Sequence, residues 1–467
     1  MLFSSLTFLH IFLPSVLALY FLFPVSARNY VLLVASIIFY AWGEPLYLAM
    51  MLFTIVANYV GAIGIEKMAT PFRKKAVLWG TIAVDLGLLF YFKYFNFFIE
   101  NLNRSDFIDF PFIEVIMPIG ISFYTFQAIS YLIDVYRGEV EAQHDFYKLA
   151  LYISLFPQLV AGPIVKYHDV YEEINNRSET FDRFMYGVKR FIVGLAKKVL
   201  LANTLGAVVD TIYALPVSEI SVSAAWLGAA AYMLQLYFDF SGYSDMAVGL
   251  GHMFGFKFLE NFNYPYLSKS VSEFWRRWHI SLSTWFKQYL YIPLGGNRVS
   301  TIRQYFNLFF VFLVTGFWHG ASWSFILWGM WNGVFICFEK LTGLKKDPKN
   351  RLSSILRVIY ADFVFLTGLV VFRADNLPYA TDYLKVMFGC LKTDADNGAS
   401  FYTDNLFITV FVFSVLASFG VFRNILEQGK KSPLRNALLN LWLLCLFFLT
   451  FLSLAGSTYN PFIYFRF

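Results

Sequence analysis

A histidine stands in the middle of a strongly apolar part of this 467-residue chain. His319 lies within residues 315–323, whose sequence is TGFWHGASW. An ionisable side chain inside a membrane span is costly, so its presence there indicates a function in the first instance. Imidazole accepts and returns a proton near neutral pH, which is what general acid–base chemistry requires. We therefore expect His319 to transfer protons in a membrane-embedded enzyme, with a histidine packed in the core as the alternative.

A second group of candidate residues lies in the segment 273–291. At 100° per residue, one helical face carries only large apolar side chains; these are Trp275, Trp278, Leu282, Trp285, Phe286 and Tyr289. Arg276, Arg277 and Lys287 fall on other faces, and His279 borders the aromatic face and points inward. The pattern predicts an amphipathic helix at the membrane interface, which Pro293 ends.

The cations of this segment, together with Arg298 after the turn, suit two different functions. Tryptophan and arginine are common in helices that anchor a protein to a membrane surface. The same cations could bind the phosphates of a cytosolic cofactor. The residues by themselves leave both functions open.

The composition indicates an integral membrane protein. The chain is 58% hydrophobic and 15% charged, whereas average proteins are about 25% charged. About ten or more apolar stretches have the length of a membrane span, and the alternating strands of a β-barrel are absent. We therefore expect an all-α bundle of many spans. Proline and glycine interrupt the apolar runs near residues 118–120, 157–163 and 293–296, which predicts re-entrant segments around a central cavity or funnel.

The distribution of lysine and arginine predicts the orientation of the chain, because these residues favour cytoplasmic loops. The cations that we assign to cytoplasmic loops are Arg28, Lys67, Arg73, Lys74, Lys75, Arg298, Arg303, Lys340, Lys345, Lys346, Lys349, Arg351, Arg423, Lys430, Lys431 and Arg435. Counting spans from these loops places both the N-terminus and the C-terminus outside. The acids Asp134, Asp239 and Asp245 lie in apolar surroundings, and we expect them to pair with arginines and hold the bundle together.

The length of the segment before His319 predicts its depth. Residues 304–318 span about 22 Å as a helix, against about 30 Å for the hydrocarbon core. The turn at His319 and Gly320 therefore need not leave the membrane. Gly316, Gly320 and Ala321 would leave space beside the imidazole ring.

Three long motifs resemble the signature of the membrane-bound O-acyltransferases. They are FWRRWHISLSTW at 274–285, YLYIPLGGNR at 289–298 and GFWHGASW at 316–323. Four further stretches are similar to the alginate O-acetylation and peptidoglycan O-acetyltransferase branch: FYAWGEP at 39–45, ISFYTF at 121–126, FPQLVAGP at 156–163 and YFDFSGYSD at 237–245. The resemblance covers nearly the whole chain. It implies a single domain over 1–467, with N-terminal spans in 1–110, a catalytic core in 112–340, and C-terminal spans and an external tail in 352–467.

The resemblance implies transfer of acetyl from cytosolic acetyl-CoA to a polysaccharide outside the membrane, with no metal and no tightly bound cofactor. His319 matches the family's invariant histidine and would act as the base. His279 matches its second conserved histidine and would orient the donor or the base, or serve a structural part. Arg276, Arg277, Lys287 and Arg298 would bind the donor.

The last six residues, FIYFRF at 462–467, are similar to a C-terminal motif of extracytoplasmic glycan acylation systems. The resemblance implies that Tyr464 carries the acyl group as an ester, which divides one difficult transfer into two easier ones. An aromatic anchor at the membrane interface is the alternative. An extracytoplasmic acetyltransferase or acyl-relay protein would complete the transfer to the glycan. We expect membrane lipids, but no nucleic acid, as further partners.

Other functions remain as alternatives. Within the family, the acceptor could be alginate-type exopolysaccharide, peptidoglycan or cellulose, whereas the sequence near residues 42–45 disfavours a D-alanyl or lipid-acylating member. Outside it, the chain could be a transporter or a scaffold for a separate acetyltransferase. A transporter would be expected to show two matching halves, and the 274–323 pattern has no repeat.

Overall fold

The computed structural model describes residues 1–104, 110–111, 115–344, 348, 350–422 and 432–463. Within these ranges the secondary structure is helical and contains no strand, which confirms the predicted all-α fold. Lys345, Lys346, Lys349, Arg423, Lys430, Lys431 and Tyr464 lie outside the described residues. The chain forms two compact units, one from Met1–Phe191 and Met246–Leu259, the other from Ile192–Asp245 and Glu260–Phe467. The predicted single domain stays a prediction.

The first unit contains the N-terminal helices and parts of two longer ones. Its helices are α1 (Leu13–Leu22), α2 (Arg28–Gly43), α3 (Leu48–Lys67), α4 (Pro71–Leu89), α5 (Phe95–Asn103), α6 (Ile121–Arg137), α7 (Phe146–Ser154), α8 (Phe156–Leu159), α9 (Tyr167–Asn175), most of α10 (Phe181–Ala196) and the end of α12 (Val222–Met253). Its core includes a group of packed phenylalanine rings: Phe3, Phe8, Phe12, Phe39 and Phe156.

The predicted breaks in the apolar runs of this unit are confirmed. Gly120 has φ +79° directly before α6. A Cβ there would lie 2.9 Å from the carbonyl oxygen of Leu159, so the position requires glycine on two counts. Residues 160–165 are buried without forming a helix. Irregular backbone therefore lies inside the protein, as the proline and glycine positions predicted, while the central cavity stays a prediction.

The second unit contains the candidate site. Its helices are the end of α10, α11 (Asn203–Tyr213), most of α12, α13 (Val271–Arg277), α14 (Ile280–Phe286), α15 (Thr301–His319), α16 (Trp323–Thr342), α17 (Arg351–Arg373), α18 (Leu377–Met387), α19 (Asn405–Ser418) and α20 (Pro433–Gly456), with π-helical segments at Lys197–Ala202 and Lys287–Tyr291. The residues after α20, up to Ile463, form the described part of the C-terminal tail.

Six helical stretches of the described chain are long and apolar enough to cross a membrane. They are Val25–Gly43, Leu48–Lys67, Pro71–Asn103, Phe181–Tyr213, Arg351–Arg373 and Pro433–Gly456. Phe8–Leu22 and Asn405–Ser418 are apolar but shorter. The multi-span character is confirmed, with fewer long spans than the ten or so apolar stretches suggest. The reason is that several of those stretches fold as short helices, such as α7 with nine residues and α8 with four.

Candidate active site

His319 is the last residue of α15, and its side chain is enclosed by aromatic rings. The ring centroids of Trp318 and Trp328 both lie 5.0 Å from that of the imidazole, and the centroid of Phe372 lies 5.4 Å away. The residue is 6% exposed. Helices α15, α16 and α17 each contribute one ring, so the position of the imidazole depends on the packing of all three.

Two glycines allow α15 and α16 to approach closely. The Cβ positions of Gly316 and Gly329 would each lie 2.9 Å from the Cα atom of the other glycine. Small residues at such crossings let helix backbones touch within membranes. A Cβ on Gly320 would overlap the ring of Phe325. The space at the two glycines is thus taken up by α16 and Phe325, while the expectation that Gly316, Gly320 and Ala321 leave space beside the imidazole stays a prediction.

His279 lies between two short helices, where the backbone turns sharply. The segment 273–291 is not one amphipathic helix, because α13 ends at Arg277 and α14 begins at Ile280. His279 has φ +43°, a left-handed conformation that non-glycine residues adopt only when their surroundings hold it. The predicted aromatic face is nevertheless buried, as is His279 itself. The periodicity thus identified the buried side chains correctly but missed the break.

Asn261 holds this turn through both its backbone and its side chain. Its carbonyl oxygen accepts from the N–H of Ile280 at 3.0 Å. Its Oδ1 accepts from the N–H of Ser281 at 3.1 Å and from the Ser281 hydroxyl at 2.9 Å. His279 Nδ1 lies 3.2 Å from the same oxygen. Because a backbone N–H only donates, the atom facing it is the amide oxygen, and Nδ1 of His279 must be the donor.

The neutral tautomer of His279 is fixed by this contact, with the proton on Nδ1 and the lone pair on Nε2. The residue lies outside the six candidate spans, and burial lowers its pKa to about 3. Burial disfavours the charged imidazolium form relative to the neutral ring. A neutral imidazole held in this way is better suited to hydrogen bonding than to proton removal at neutral pH.

Helix α13 is attached to α16 by polar contacts at both ends. The buried carboxylate of Glu339 accepts from the backbone N–H groups of Val271 and Ser272, which stabilises the start of the helix because those groups lack partners within it. Trp275 Nε1 donates to Asn332 Oδ1 at 3.2 Å. These contacts to α16 fix the position of α13, the helix that leads into His279.

Trp318 lies near both histidines. The ring centroid of Trp318 is 6.4 Å from that of His279 and 5.0 Å from that of His319. Phe240 of α12 packs edge-on against His279, with centroids 4.7 Å apart. The fold therefore brings the second histidine to the same aromatic region as the first.

The predicted donor-binding cations are not equivalent. Arg276, Lys287 and Arg298 are exposed. Arg277 forms an ion pair with Glu273 at 2.9 Å and donates to the backbone oxygen of Asn263. Three of the four cations are thus accessible to an anion, whereas Arg277 supports the local fold.

The buried acids of this unit pair with lysines. Asp239 lies 2.8 Å from Lys198 Nζ, and Asp245 lies 2.6 Å from Lys197 Nζ. The expectation of pairing is therefore confirmed for both acids, but the partner of Asp239 is a lysine and not the expected arginine. The lysines lie in the π-helical segment Lys197–Ala202, and such segments often occur at functional sites.

Sequence reasoning missed Asn261, Asn332, Glu339 and Lys198. A useful sequence feature existed for two of them, because Glu339 and Lys198 are charged residues in apolar surroundings, like the acids that were selected. The amides offered no such feature, since their partners are distant in the chain. Among the described residues, no cluster of three metal-ligating side chains is found.

Comparison with known proteins identifies the chain's relatives. A probable alginate O-acetylase AlgI from Pseudomonas putida is 42% identical, with all of both chains covered. Another from Pseudomonas aeruginosa is 44% identical over 93% of this chain and 84% of the relative. A peptidoglycan O-acetyltransferase from Helicobacter pylori is 36% identical over 83% of this chain and 80% of the relative.

Residues 139–379, which include His279 and His319, match the membrane-bound O-acyltransferase family. This match and the relatives agree with the motifs around the two histidines. The chain is an acyltransferase and belongs to the membrane-bound O-acyltransferase family.

Proposed function

We propose that this protein is an O-acetyltransferase that moves acetyl from cytosolic acetyl-CoA to an alginate-type polysaccharide outside the cytoplasmic membrane. The observation that carries the proposal is the buried imidazole of His319 in the family motif, enclosed by three aromatic rings. The alginate O-acetylases that align with the chain support the acceptor class. Both termini would face the outside, so the tail would reach the acceptor side.

In the first half of the reaction, His319 removes the phenolic proton of Tyr464. The phenolate oxygen attacks the thioester carbonyl, a C–O bond forms, and the C–S bond breaks. The thiolate of the leaving group takes up the proton from His319, so the base is restored. In the second half, an acceptor hydroxyl attacks the tyrosyl ester, and the tyrosine leaves with its proton regained.

His279 suits an orienting role in this scheme. Its neutral Nε2 lone pair would accept a hydrogen bond from a donor group or from a substrate hydroxyl. A base with its pKa near 3 would give little driving force for proton removal at neutral pH. The division of roles therefore assigns proton transfer to His319.

The exposed cations Arg276, Lys287 and Arg298 support binding of the phosphates of acetyl-CoA, because clustered positive charge raises the local concentration of anions. An extracytoplasmic acetyltransferase or acyl-relay protein would take acetyl from Tyr464. The peptidoglycan O-acetyltransferase relative supports a second acceptor, peptidoglycan, for the same transfer.

Incubation of the purified protein with radiolabelled acetyl-CoA tests the proposal. The wild type should acquire label on Tyr464, whereas His319→Ala and Tyr464→Phe should lose it while staying folded. His10→Ala, at an exposed histidine of the first unit, is the control and should label normally. Label that persists in Tyr464→Phe but not in His319→Ala would overturn the carrier role alone. A folded wild type that neither releases CoA nor acquires label would overturn the enzymatic proposal.

A further inference from the structure

The C-terminal tail becomes more buried towards its end. Residues 455–458 are exposed, residues 459–461 are partly buried, and Phe462 and Ile463 are buried. The ring of Phe462 stacks on Tyr243, with centroids 4.8 Å apart. Ser457 and Tyr459 also line an open cleft of about 610 Å³. The tail therefore leaves an open surface and enters the interior of the second unit immediately before Tyr464.

A buried ion pair binds the backbone of the tail at two residues. Lys198 Nζ donates to the backbone oxygen of Pro461 and lies 2.8 Å from Asp239 Oδ1. Asp239 Oδ2 accepts from the backbone N–H of Ile463 at 3.0 Å. We call Lys198 and Asp239 the clamp. Both residues bind the main chain of the tail, so they fix its path whatever its side chains are.

A second contact holds the tail at Tyr459, which lies nearer to the end of α20 in the sequence. The hydroxyl of Tyr459 donates to Asp210 Oδ2 at 2.6 Å. Asp210 Oδ1 accepts from Arg373 at 2.8 Å, and the guanidinium of Arg373 lies over the ring of Tyr213 at 5.0 Å. A Cβ on Gly206 would lie 2.9 Å from the Tyr459 oxygen. Glycine at 206 therefore leaves room for the tail to pass.

Charge and burial argue that the clamp serves more than stability. The side chains of Lys198 and Asp239 are 3% and 2% exposed. Removing two charges from water costs free energy that their attraction often fails to offset, so a buried pair is weak evidence for stability. An ionisable residue within a candidate span, such as Lys198 in Phe181–Tyr213, indicates function instead.

The clamp and the tail contacts are linked to the two histidines through neighbouring residues. Asp239 binds the tail, and the next residue, Phe240, packs on His279. Arg373 holds Asp210, and the preceding residue, Phe372, packs on His319. Consecutive Cα atoms are about 3.8 Å apart. On α12 and on α17, a residue that holds the tail or its partner Asp210 is therefore followed or preceded directly by one that packs on a histidine.

We propose that Lys198 and Asp239 are positioning residues that hold the tail through Pro461 and Ile463, and that this hold is required for the loading of acetyl onto the tail. This inference rests on the proposed carrier role of Tyr464. It assigns to the buried pair a role in one half-reaction, the loading of the tail. Hydrolysis of acetyl-CoA, in which water replaces Tyr464 as the nucleophile, would not require the clamp.

The test compares two adjacent ion pairs. Lys198→Met and Asp239→Asn disrupt the clamp, and Lys197→Met disrupts the neighbouring pair with Asp245, which is the matched control. The label that radioactive acetyl-CoA leaves on Tyr464 should fall at least tenfold in the two clamp variants. Their rate of His319-dependent acetyl-CoA hydrolysis, measured as CoA release, should stay near that of the wild type. Lys197→Met should keep both activities. Asp239→Glu, which retains the carboxylate, should carry more label than Asp239→Asn.

A second measurement follows the tail without acetyl chemistry. In a background with Cys337, Cys390 and Cys445 replaced by serine, Phe462→Cys places a thiol at a buried tail position. Its reaction with a maleimide should be slow, and at least tenfold faster when Lys198→Met or Asp239→Asn is added. Ser457→Cys, at an exposed position, should react quickly in every background.

The outcomes separate this inference from the proposed function. A wild type without label on Tyr464 overturns the carrier role and the positioning role together. A labelled wild type whose label and thiol protection both survive the clamp variants overturns the positioning role alone, as does an equal loss in Lys197→Met. If the single variants fail to fold, Lys198→Met with Asp239→Leu removes both charges and leaves neither unpaired. That double variant should then show the same loss of label.

Discussion

The surroundings of His279 and His319 differ in chemistry and in backbone geometry. His279 sits in a left-handed turn and shares the oxygen of Asn261 with Ser281. His319 ends a regular helix and is enclosed by rings from three helices. The first imidazole is fixed by directed hydrogen bonds, and the second by the packing of helices. The difference indicates that a small change in packing will affect His319, whereas His279 will respond to changes in its polar partners.

The comparison also separates roles in the proposed reaction. A neutral, hydrogen-bonded imidazole with a strongly lowered pKa is suited to orienting a partner. His319 lies at the junction of α15 and α16 and packs against Phe372. An imidazole is suited to proton transfer near neutral pH. Replacing each histidine by the same residue tests this separation most directly.

The largest expected effect is on the rate of CoA release. His319→Asn should lower this rate by about 1,000-fold, since loss of general acid–base catalysis typically costs between about 100-fold and 10,000-fold. His279→Asn should lower it by no more than about 30-fold, because asparagine tolerates a positive φ and keeps a hydrogen-bonding group. The measurement is CoA release by purified protein at saturating donor. Equal losses in the two variants would contradict the division of roles.

A smaller effect is expected where packing alone is changed. Gly329→Ala should lower CoA release by about 10-fold to 100-fold, because its methyl group would force α15 and α16 apart and displace His319 by a fraction of an ångström or more. Gly80→Ala is the matched control, since a Cβ at that helical position meets nothing within 4 Å. Activities are compared at temperatures where both variants are folded. An active Gly329→Ala would show that the packing around His319 tolerates such a displacement.

The smallest effect concerns acid stability. The pKa of His279 is about 3 in the folded state and about 6.5 in unfolded chains. The unfolded state therefore binds the proton first as pH falls, and the folded state loses stability from about pH 6.5 down to about pH 3. This group contributes a loss of about 2 kcal/mol between pH 7 and pH 5. His279→Asn should reduce the fall in melting temperature over that interval, and an unchanged fall in this variant would contradict the prediction.

Sequence periodicity predicted which side chains are buried better than it predicted where helices end. The aromatic face of segment 273–291 is buried as expected, yet the helix breaks at His279. The break depends on Asn261, whose contacts no local pattern in 273–291 encodes. Similarly, Gly316 and Gly320 were correctly selected as small residues, but their use became clear only from the positions of Gly329 and Phe325.

By itself the sequence determined the membrane character, the all-α fold, the family and the two histidines, because composition and long local motifs carry that information. It also indicated that buried acids would be paired. Only the tertiary structure decided that Lys198 is the partner of Asp239 and that both grip the tail. The tail residues lie 263 and 224 positions from those partners. Contacts over such separations are made by the folded chain as a whole, so a reading of neighbouring residues does not reveal them.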